Sequence, residues 1–433
     1  MHRTIKEIFF TFGFQVYWGL IGFIISIILA RTFSNEEYGQ YSIIMKYIMI
    51  MHTFGLLGLD IAGINYMSNK KIPGSVLSKH ILPFSFVSGI VFFFVAWALF
   101  PIIYEFSPAI NICFYAAIPF NLLMCVTCAL ILGSNHILSY NFSNNARDTL
   151  YIVLIVIFVI GFGGGFPTAA IMYVAATVIS FLISLWFLYL FGLLSWKKDA
   201  FDRKIFTGLL SFGKYTYISD VLWFLVLRLD ILMVGYFLGL KSAGIYTVAS
   251  QLADIMRFLP RAISLVIIPK IPTFTPDQTK KIILLLSKSM FLILSLIFVG
   301  VYILGEKTLQ ITYSAKYTSA YTSLILLTPG VLFLGISQIL SGYYVAKGYV
   351  KIFIPISASA LIVDVILVIL FVPEYGLPAA AIASSISYFV SFLVCLVYYF
   401  KKEHLQIKDI FITSIDIKEM VKVFKSLVEN NGE

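Results

Sequence analysis

Twelve long apolar runs, separated by short polar breaks, occupy almost the whole chain. They lie near 10–30, 39–65, 81–103, 113–133, 149–165, 168–193, 216–238, 244–268, 282–304, 321–346, 352–372 and 377–400. Each is about 20 residues, which at ~1.5 Å per residue crosses the ~30 Å hydrocarbon core of a bilayer. In lipid the backbone must satisfy its own hydrogen bonds, so runs of this length are helices. A closed barrel would show short alternating segments, and these runs do not alternate. The pattern therefore predicts an all-α integral membrane protein of about twelve transmembrane helices.

The runs fall into two like halves. Gly165-Phe166-Pro167-Thr168-Ala169-Ala170-Ile171 recurs as Gly376-Leu377-Pro378-Ala379-Ala380-Ala381-Ile382, each time leading into an apolar run. Asn35-Glu36-Glu37-Tyr38-Gly39-Gln40-Tyr41 is echoed by Lys241-Ser242-Ala243-Gly244-Ile245-Tyr246. The expected organisation is a six-helix lobe over 1–197, a basic linker at 198–215, a second six-helix lobe over 216–400 and a tail at 401–433. Membrane chains built from two repeats place substrate near the midplane seam, which points to a carrier.

Composition agrees: the chain is 60% hydrophobic and 12% charged, too apolar for a soluble domain. The net charge of +10 would suit a nucleic-acid partner only if it formed a patch on a folded domain, and no connecting loop is long enough to hold one. With the N-terminus inside, the cytoplasmic segments and tail carry 22 Lys and Arg, Arg147 among them, whereas the outer loops hold only Arg31, Lys241, Lys307 and Lys316. That bias predicts two cytoplasmic termini. Met1 to Glu7 is followed by a run too long for a cleavable signal, so the first span is expected to be an uncleaved anchor. Trp196-Lys197-Lys198 reads as an interfacial stop, and Met420 to Val428 as a short helix lying on the anionic inner leaflet. Cys113, Cys125, Cys128 and Cys395 fall within helices without histidine neighbours, so they read as apolar fillers and no metal or cofactor is expected.

Ionisable groups inside the spans carry the candidate chemistry, because burying one in hydrocarbon costs several kcal/mol unless it meets a cavity or a partner. Lys288 and Asp220 sit near span ends, where they can reach water. In the second span Lys46, Thr53 and Asp60 are seven apart and share one face, with His52 beside it. Arg228 and Asp230 are two apart, on nearly opposite sides of a helix, so each needs its own partner. Asp254, Arg257 and Arg261 form one stripe, and the like-charged arginines one turn apart call for an anion such as a phosphate or sugar acid. Pro260 predicts a kink there. Asp364 is the lone acid of its span, and either titrates as a coupling group or pairs with a cation of another helix. Gln15, Gly19, Gly22 and Ser26 make one small-residue face of the first span, as close helix packing requires.

Several segments resemble those of polysaccharide-exporting membrane proteins. They are Leu29-Ala30-Arg31 through Tyr41, Arg228-x-Asp230, Val234 to Gly239, Ala243 to Ala249, Tyr313 to Ala320, Pro329-Gly330 and Ser337-Gln338. The chain is similar to O-antigen and polysaccharide flippases (Wzx type) of the multidrug/oligosaccharidyl-lipid/polysaccharide exporter superfamily. The resemblance implies two six-helix lobes in a V around a cationic cavity. It also implies movement of undecaprenyl-diphosphate-linked sugar repeat units across the bacterial cytoplasmic membrane, with membrane lipids and polysaccharide polymerase or chain-length machinery as partners. In that reading Lys46, Arg228, Arg257 and Arg261 bind substrate. Asp60, Asp230, Asp254 or Asp364 couples transport to protons or sodium ions. A drug antiporter would need an acidic cavity, and a polymerase or ligase would need a large outer domain, whereas the longest outer loop expected here runs only from Gly305 to Tyr321. No nucleotide site is present, because Gly161 to Gly165 lacks a following Lys-Ser/Thr pair.

Overall fold

The computed structural model describes residues 2–104, 106–194, 202–268, 271 and 274–403, and among these there is helix and no strand. The Trp196-Lys197-Lys198 stop and the tail helix expected at Met420 to Val428 lie outside the described residues. The helices are α1 (His2–Thr32), α2 (Asn35–Leu56), α3 (Leu59–Ser68), α4 (Gly74–Ile103), α5 (Pro108–Tyr115), α6 (Ala117–Gly133) and α7 (Ile137–Leu154). They continue as α8 (Phe166–Leu190), α9 (Arg203–Ile255), α10 (Phe258–Ile267), α11 (Pro276–Tyr313), α12 (Ala320–Ala346) and α13 (Phe353–Glu403). Helix α7 runs on into a π-turn at Ile155–Gly161.

Two of these helices are too long to be single passes. At ~1.5 Å per residue α9 and α13 would each approach 80 Å, about twice a whole bilayer. Each contains one glycine outside helical geometry, Gly239 (φ 81°) and Gly376 (φ 68°), where the chain turns between two helices. With α2 and α3 taken as one bent span, ten helical stretches have the length and apolarity to cross a membrane. Dividing two of them at Gly239 and Gly376 gives twelve passes among the described residues. Exposed apolar side chains such as Phe94 and Trp97 on α4, and Leu296 and Ile303 on α11, form the surface that lipid contact demands.

The chain packs as two compact units. One comprises residues 1–248 together with Thr312–Tyr317, and the other comprises residues 249–311 and 318–433. This division by packing differs from the division by repeat at 1–197 and 216–400, because most of α9 packs with the first half. The cause is visible in two glycine pairs. A β-carbon on Gly39 would lie 1.8 Å from the Leu240 carbonyl oxygen, and one on Gly244 would lie 2.4 Å from the Asn35 carbonyl oxygen. Gly58 and Gly213 approach as closely, with a β-carbon on either lying 2.7–2.8 Å from the other's carbonyl oxygen. Gly39 and Gly244 are matching positions of the sequence repeat, so the two copies meet backbone to backbone in the first unit.

Helix α2 starts with a capping box: the Glu37 amide donates to Ser34 Oγ at 3.1 Å and the Ser34 amide donates to Glu37 Oε2 at 2.9 Å. It ends at Leu57 and Gly58, both left-handed, and α3 leaves at a bend of 45°. At the far end of α1 two cations exchange caps. Arg31 Nε donates to the Thr312 carbonyl at 2.7 Å, near the end of α11, and Lys316 Nζ donates to the Phe33 carbonyl at 2.5 Å, just past α1. Beneath them Ser26 Oγ bonds the hydroxyls of Tyr38 (3.1 Å) and Tyr313 (2.8 Å). Ser26 is thus buried as the small-residue face of α1 requires, but among the described residues nothing lies within 4 Å of a β-carbon on Gly22, so that face makes no close contact with them there. The expected outer loop from Gly305 is helix as far as Tyr313.

The second unit buries Ile271, Ile283, Leu340, Tyr343, Tyr344 and Ile356 around Cys395 and Tyr399. The four cysteines are free thiols, and no cluster of metal-ligating side chains occurs among the described residues.

A Gly39→Ala substitution must push a backbone carbonyl rather than a pliant side chain, so it is expected to cost toward the upper end of the ~1–3 kcal/mol overpacking range. Thermal unfolding in detergent should show a clear drop for Gly39→Ala and none for Gly22→Ala, whose β-carbon would meet open space.

Candidate functional site

The first unit holds Lys46, Asp60, Arg228 and Asp230. Lys46 and His52 are half-buried on α2, and Thr53 Oγ1 donates to the Met49 carbonyl at 2.8 Å. Asp60 does not continue their stripe on one helix as its spacing predicts, because the left-handed pair Leu57-Gly58 breaks the helix and puts Asp60 in the first turn of α3. Its carboxylate there faces the positive end of a helix dipole. Arg228 is half-buried, whereas Asp230 is 1% exposed. The Asp230 carboxylate accepts the Ile231 amide at 2.8 Å and the buried Tyr246 hydroxyl at 2.9 Å. Tyr246 lies beyond the Gly239 turn, so this bond ties the two arms of α9 together.

The second unit holds Asp254, Arg257, Arg261 and Asp364. Asp254 Oδ1 accepts from Arg257 Nη1 at 2.8 Å, so one of the two arginines has its own counter-ion. The helix is interrupted at Met256 and Arg257, where tight turns link Met256 to Ala253 and Arg257 to Asp254. The break falls at the Met256 carbonyl, which Pro260 leaves without an amide partner, and Pro260 stands in the first turn of α10, which starts at Phe258. Arg261 is exposed on α10, while the Arg257 Nε is buried and makes no hydrogen bond among the described residues. Asp364, on α13, is 0% exposed.

The sequence reading missed a polar cluster around Arg147, which it placed in a cytoplasmic loop by starting the fifth span at 149. The helix starts at Ile137, so Arg147 stands well inside a candidate span of residues 137–161. Arg147 Nε bonds Asp148 Oδ1 at 2.9 Å, and Nη1 bonds Asn121 Oδ1 at 2.9 Å. The guanidinium lies 5.9 Å from the Tyr173 ring centre, and Trp18 Nε1 donates to Asp148 Oδ2 at 2.7 Å. Helix α7 buries Asn141 and Asn145 on one face and Ser143 on the opposite side, and their polarity disguised the first half of the span as a loop. Read at helical period, that run is amphipathic, and this signal was available from sequence alone. The result is a charged pair, amide and aromatic hydroxyls held in the first unit, a surface suited to polar or anionic groups.

The family profile described as polysaccharide biosynthesis protein matches residues 4–275, more than half of the chain. The chain is 22% identical to the probable low-salt glycan biosynthesis flippase Agl15 of Haloferax volcanii over 55% of this chain and 52% of that protein. The fold is similar to that of the lipid II flippase MurJ in an inward closed conformation, with TM-score 0.74 and 17% identity, covering 97% of this chain and 93% of that one. It is also similar to an inward-facing multidrug resistance MATE family transporter of the MOP superfamily, with TM-score 0.73 and 13% identity, covering 89% and 94%. The family and these neighbours are flippases and transporters rather than enzymes.

Replacing Tyr246 with Phe leaves the buried Asp230 carboxylate short of one donor, an expected loss of about 1–3 kcal/mol in stability. If the bond is the cause, Asp230→Asn should cost less in the Tyr246→Phe background than alone, which a double-mutant cycle on thermal unfolding will show.

Proposed function

We propose that this chain, which belongs to the polysaccharide biosynthesis protein family, is a flippase for undecaprenyl-diphosphate-linked oligosaccharide repeat units of a surface polysaccharide. It works in the bacterial cytoplasmic membrane with both termini cytoplasmic, by alternating access coupled to a proton or sodium gradient. The observation that carries this reading is the set of cations inside candidate spans, Lys46, Arg147, Arg228 and Arg257, in a family devoted to polysaccharide. A diphosphate sugar cannot cross hydrocarbon unaided, and guanidinium forks bind its oxyanions bidentately. Arg257, with Nε unfilled, and Arg261, exposed beyond the helix break, are the substrate contacts of the second unit. Lys46 and Arg228 serve the first unit, where Trp18, Asn121 and Tyr173 hold the Arg147–Asp148 pair in place. Asp364, Asp60 and Asp254 are the coupling carboxylates. Asp230, already holding two hydrogen bonds, suits a fixed anion better. Polymerase and chain-length proteins are the expected partners.

The reading is tested in liposomes carrying a lipid-linked oligosaccharide, with an imposed proton or sodium gradient and leaflet location as the readout. The Arg257→Ala/Arg261→Ala double variant should flip at least about tenfold more slowly, the loss of ~1.4 kcal/mol of binding. Lysine at both positions should restore only part of the rate, because it keeps the charge and loses the fork. Full activity in the double alanine variant removes the pair from the substrate route.

Asp364→Asn should abolish the response to the gradient while leaving substrate binding nearly intact, because asparagine imitates the protonated acid. If the unaltered protein responds to neither gradient, coupling is wrong and substrate-driven flipping replaces it. If it exports cationic drugs and leaves lipid-linked sugar in place, the flippase reading itself fails.

A further inference from the structure

Six residues of the chain change company. Thr312–Tyr317 pack with the first unit, whereas 249–311 before them and 318–433 after them form the second. The six close α11 and make the short turn at Ala315–Tyr317 that precedes α12. They are fastened to the corner where α1 ends and α2 begins. Arg31 Nε donates to the Thr312 carbonyl at 2.7 Å, and Asn35 Nδ2 donates to the Lys316 carbonyl at 3.2 Å. Lys316 Nζ returns to the carbonyls of Arg31, at 3.3 Å, and of Phe33. Deeper, Ser26 Oγ joins the Tyr313 and Tyr38 hydroxyls. The Tyr317 ring packs edge-on beside both, 5.9 Å from Tyr38 and 6.1 Å from Tyr313.

This fastening is of a kind that can be undone. Gly39 meets Gly244 backbone to backbone, a steric contact that water does not replace. The corner is held instead by hydrogen bonds from charged, amide and hydroxyl groups, and water can take the place of each partner. Arg31 and Lys316 are exposed, so release returns to water two charges that have barely left it. The attached arrangement is also strained. Ser314 stands at φ 86°, in the left-handed region that a β-carbon disfavours. The buried Tyr317 hydroxyl has no hydrogen-bond partner among the described residues. Lifting the segment away frees Ser314 to leave that region and gives the Tyr317 hydroxyl water.

Resting on the transport reading above, we propose that Thr312–Tyr317 is a detachable strap, fastened to the α1–α2 corner in this state and released from it in each transport cycle. Residues carried by α11 and α12 but bonded to α1 and α2 must unfasten whenever those helices move against one another, as alternating access requires. Strain held in the attached form keeps release within reach, and the carbonyl caps on Arg31 and Lys316 favour return.

Thiol labelling and flipping by the full chain in liposomes test the strap separately. Ser26→Cys places a thiol beneath it, and mass spectrometry of that peptide follows its reaction with a water-soluble maleimide. Adding Arg31→Gln and Lys316→Gln removes two fasteners and should raise the labelling rate at least about tenfold, a shift of ~1.4 kcal/mol in the attached–released equilibrium. Asn35→Cys with Lys316→Cys, bridged by a bis-methanethiosulfonate, should stop flipping of lipid-linked oligosaccharide, and reductant should restore it. Either cysteine alone, treated likewise, should keep flipping. Full flipping by the bridged protein, or labelling that ignores the loss of Arg31 and Lys316, overturns the proposal. If the unaltered protein flips no lipid-linked sugar, the substrate reading fails, and the labelling rates still decide the strap. Should Ser26→Cys not fold, Phe23→Cys takes its place, since the Phe23 ring lies 6.0 Å from that of Tyr313.

Discussion

Two contacts between bare backbones govern the first unit. Gly39 meets Gly244 and Gly58 meets Gly213, at opposite ends of α2. The nineteen residues from Gly39 to Gly58 span about 28 Å as helix, close to the ~30 Å thickness of hydrocarbon. Without a strong hydrophobic force between helices in lipid, association depends on how closely backbones approach, and only glycine allows this distance. The second half of the chain is therefore joined to the first where side chains are absent. That explains why the packing boundary falls at Val248 rather than in the linker.

The intramembrane charges sort by how fully their surroundings answer them. Asp230 is held by an amide and a tyrosine hydroxyl, and Arg147 by a carboxylate, an amide oxygen and a ring face. Such groups hold a shape. Arg257 has one carboxylate and one unfilled donor, and Arg261 is exposed, so these retain capacity for another ion. Sequence spacing can find a partner on the same helix, as Asp254 is for Arg257, but not those on other passes, as Tyr246 is for Asp230 and Asn121 for Arg147.

The helical class, the number of passes and the repeat were legible because each rests on long apolar runs or on glycine and proline that recur at matching positions. The Gly165-Phe166-Pro167 and Gly376-Leu377-Pro378 copies mark real helix starts, with Gly376 in left-handed geometry. The site was legible only in part. The Lys46-Thr53-Asp60 stripe assumed one straight helix, and two left-handed residues at 57 and 58 remove that assumption. Arg147 was misplaced because Asn141 to Asn145 lowers local hydropathy, and Lys288 because snorkelling is a rule about reach, not about neighbours that close over it.

The exchanged caps between Arg31 and Thr312, and between Lys316 and Phe33, have a consequence for the order in which the protein is built. The bonded residues are 281 and 283 positions apart, and the first unit includes Thr312–Tyr317. During synthesis α1 and α2 are made early, yet the carbonyls that end α1 wait for their lysine until the ninth pass has been translated. The first unit thus cannot finish folding on the ribosome's schedule for its own half. A gene cut at the linker would yield an N-terminal product with an open helix end, a vacancy for whatever completes translation to fill.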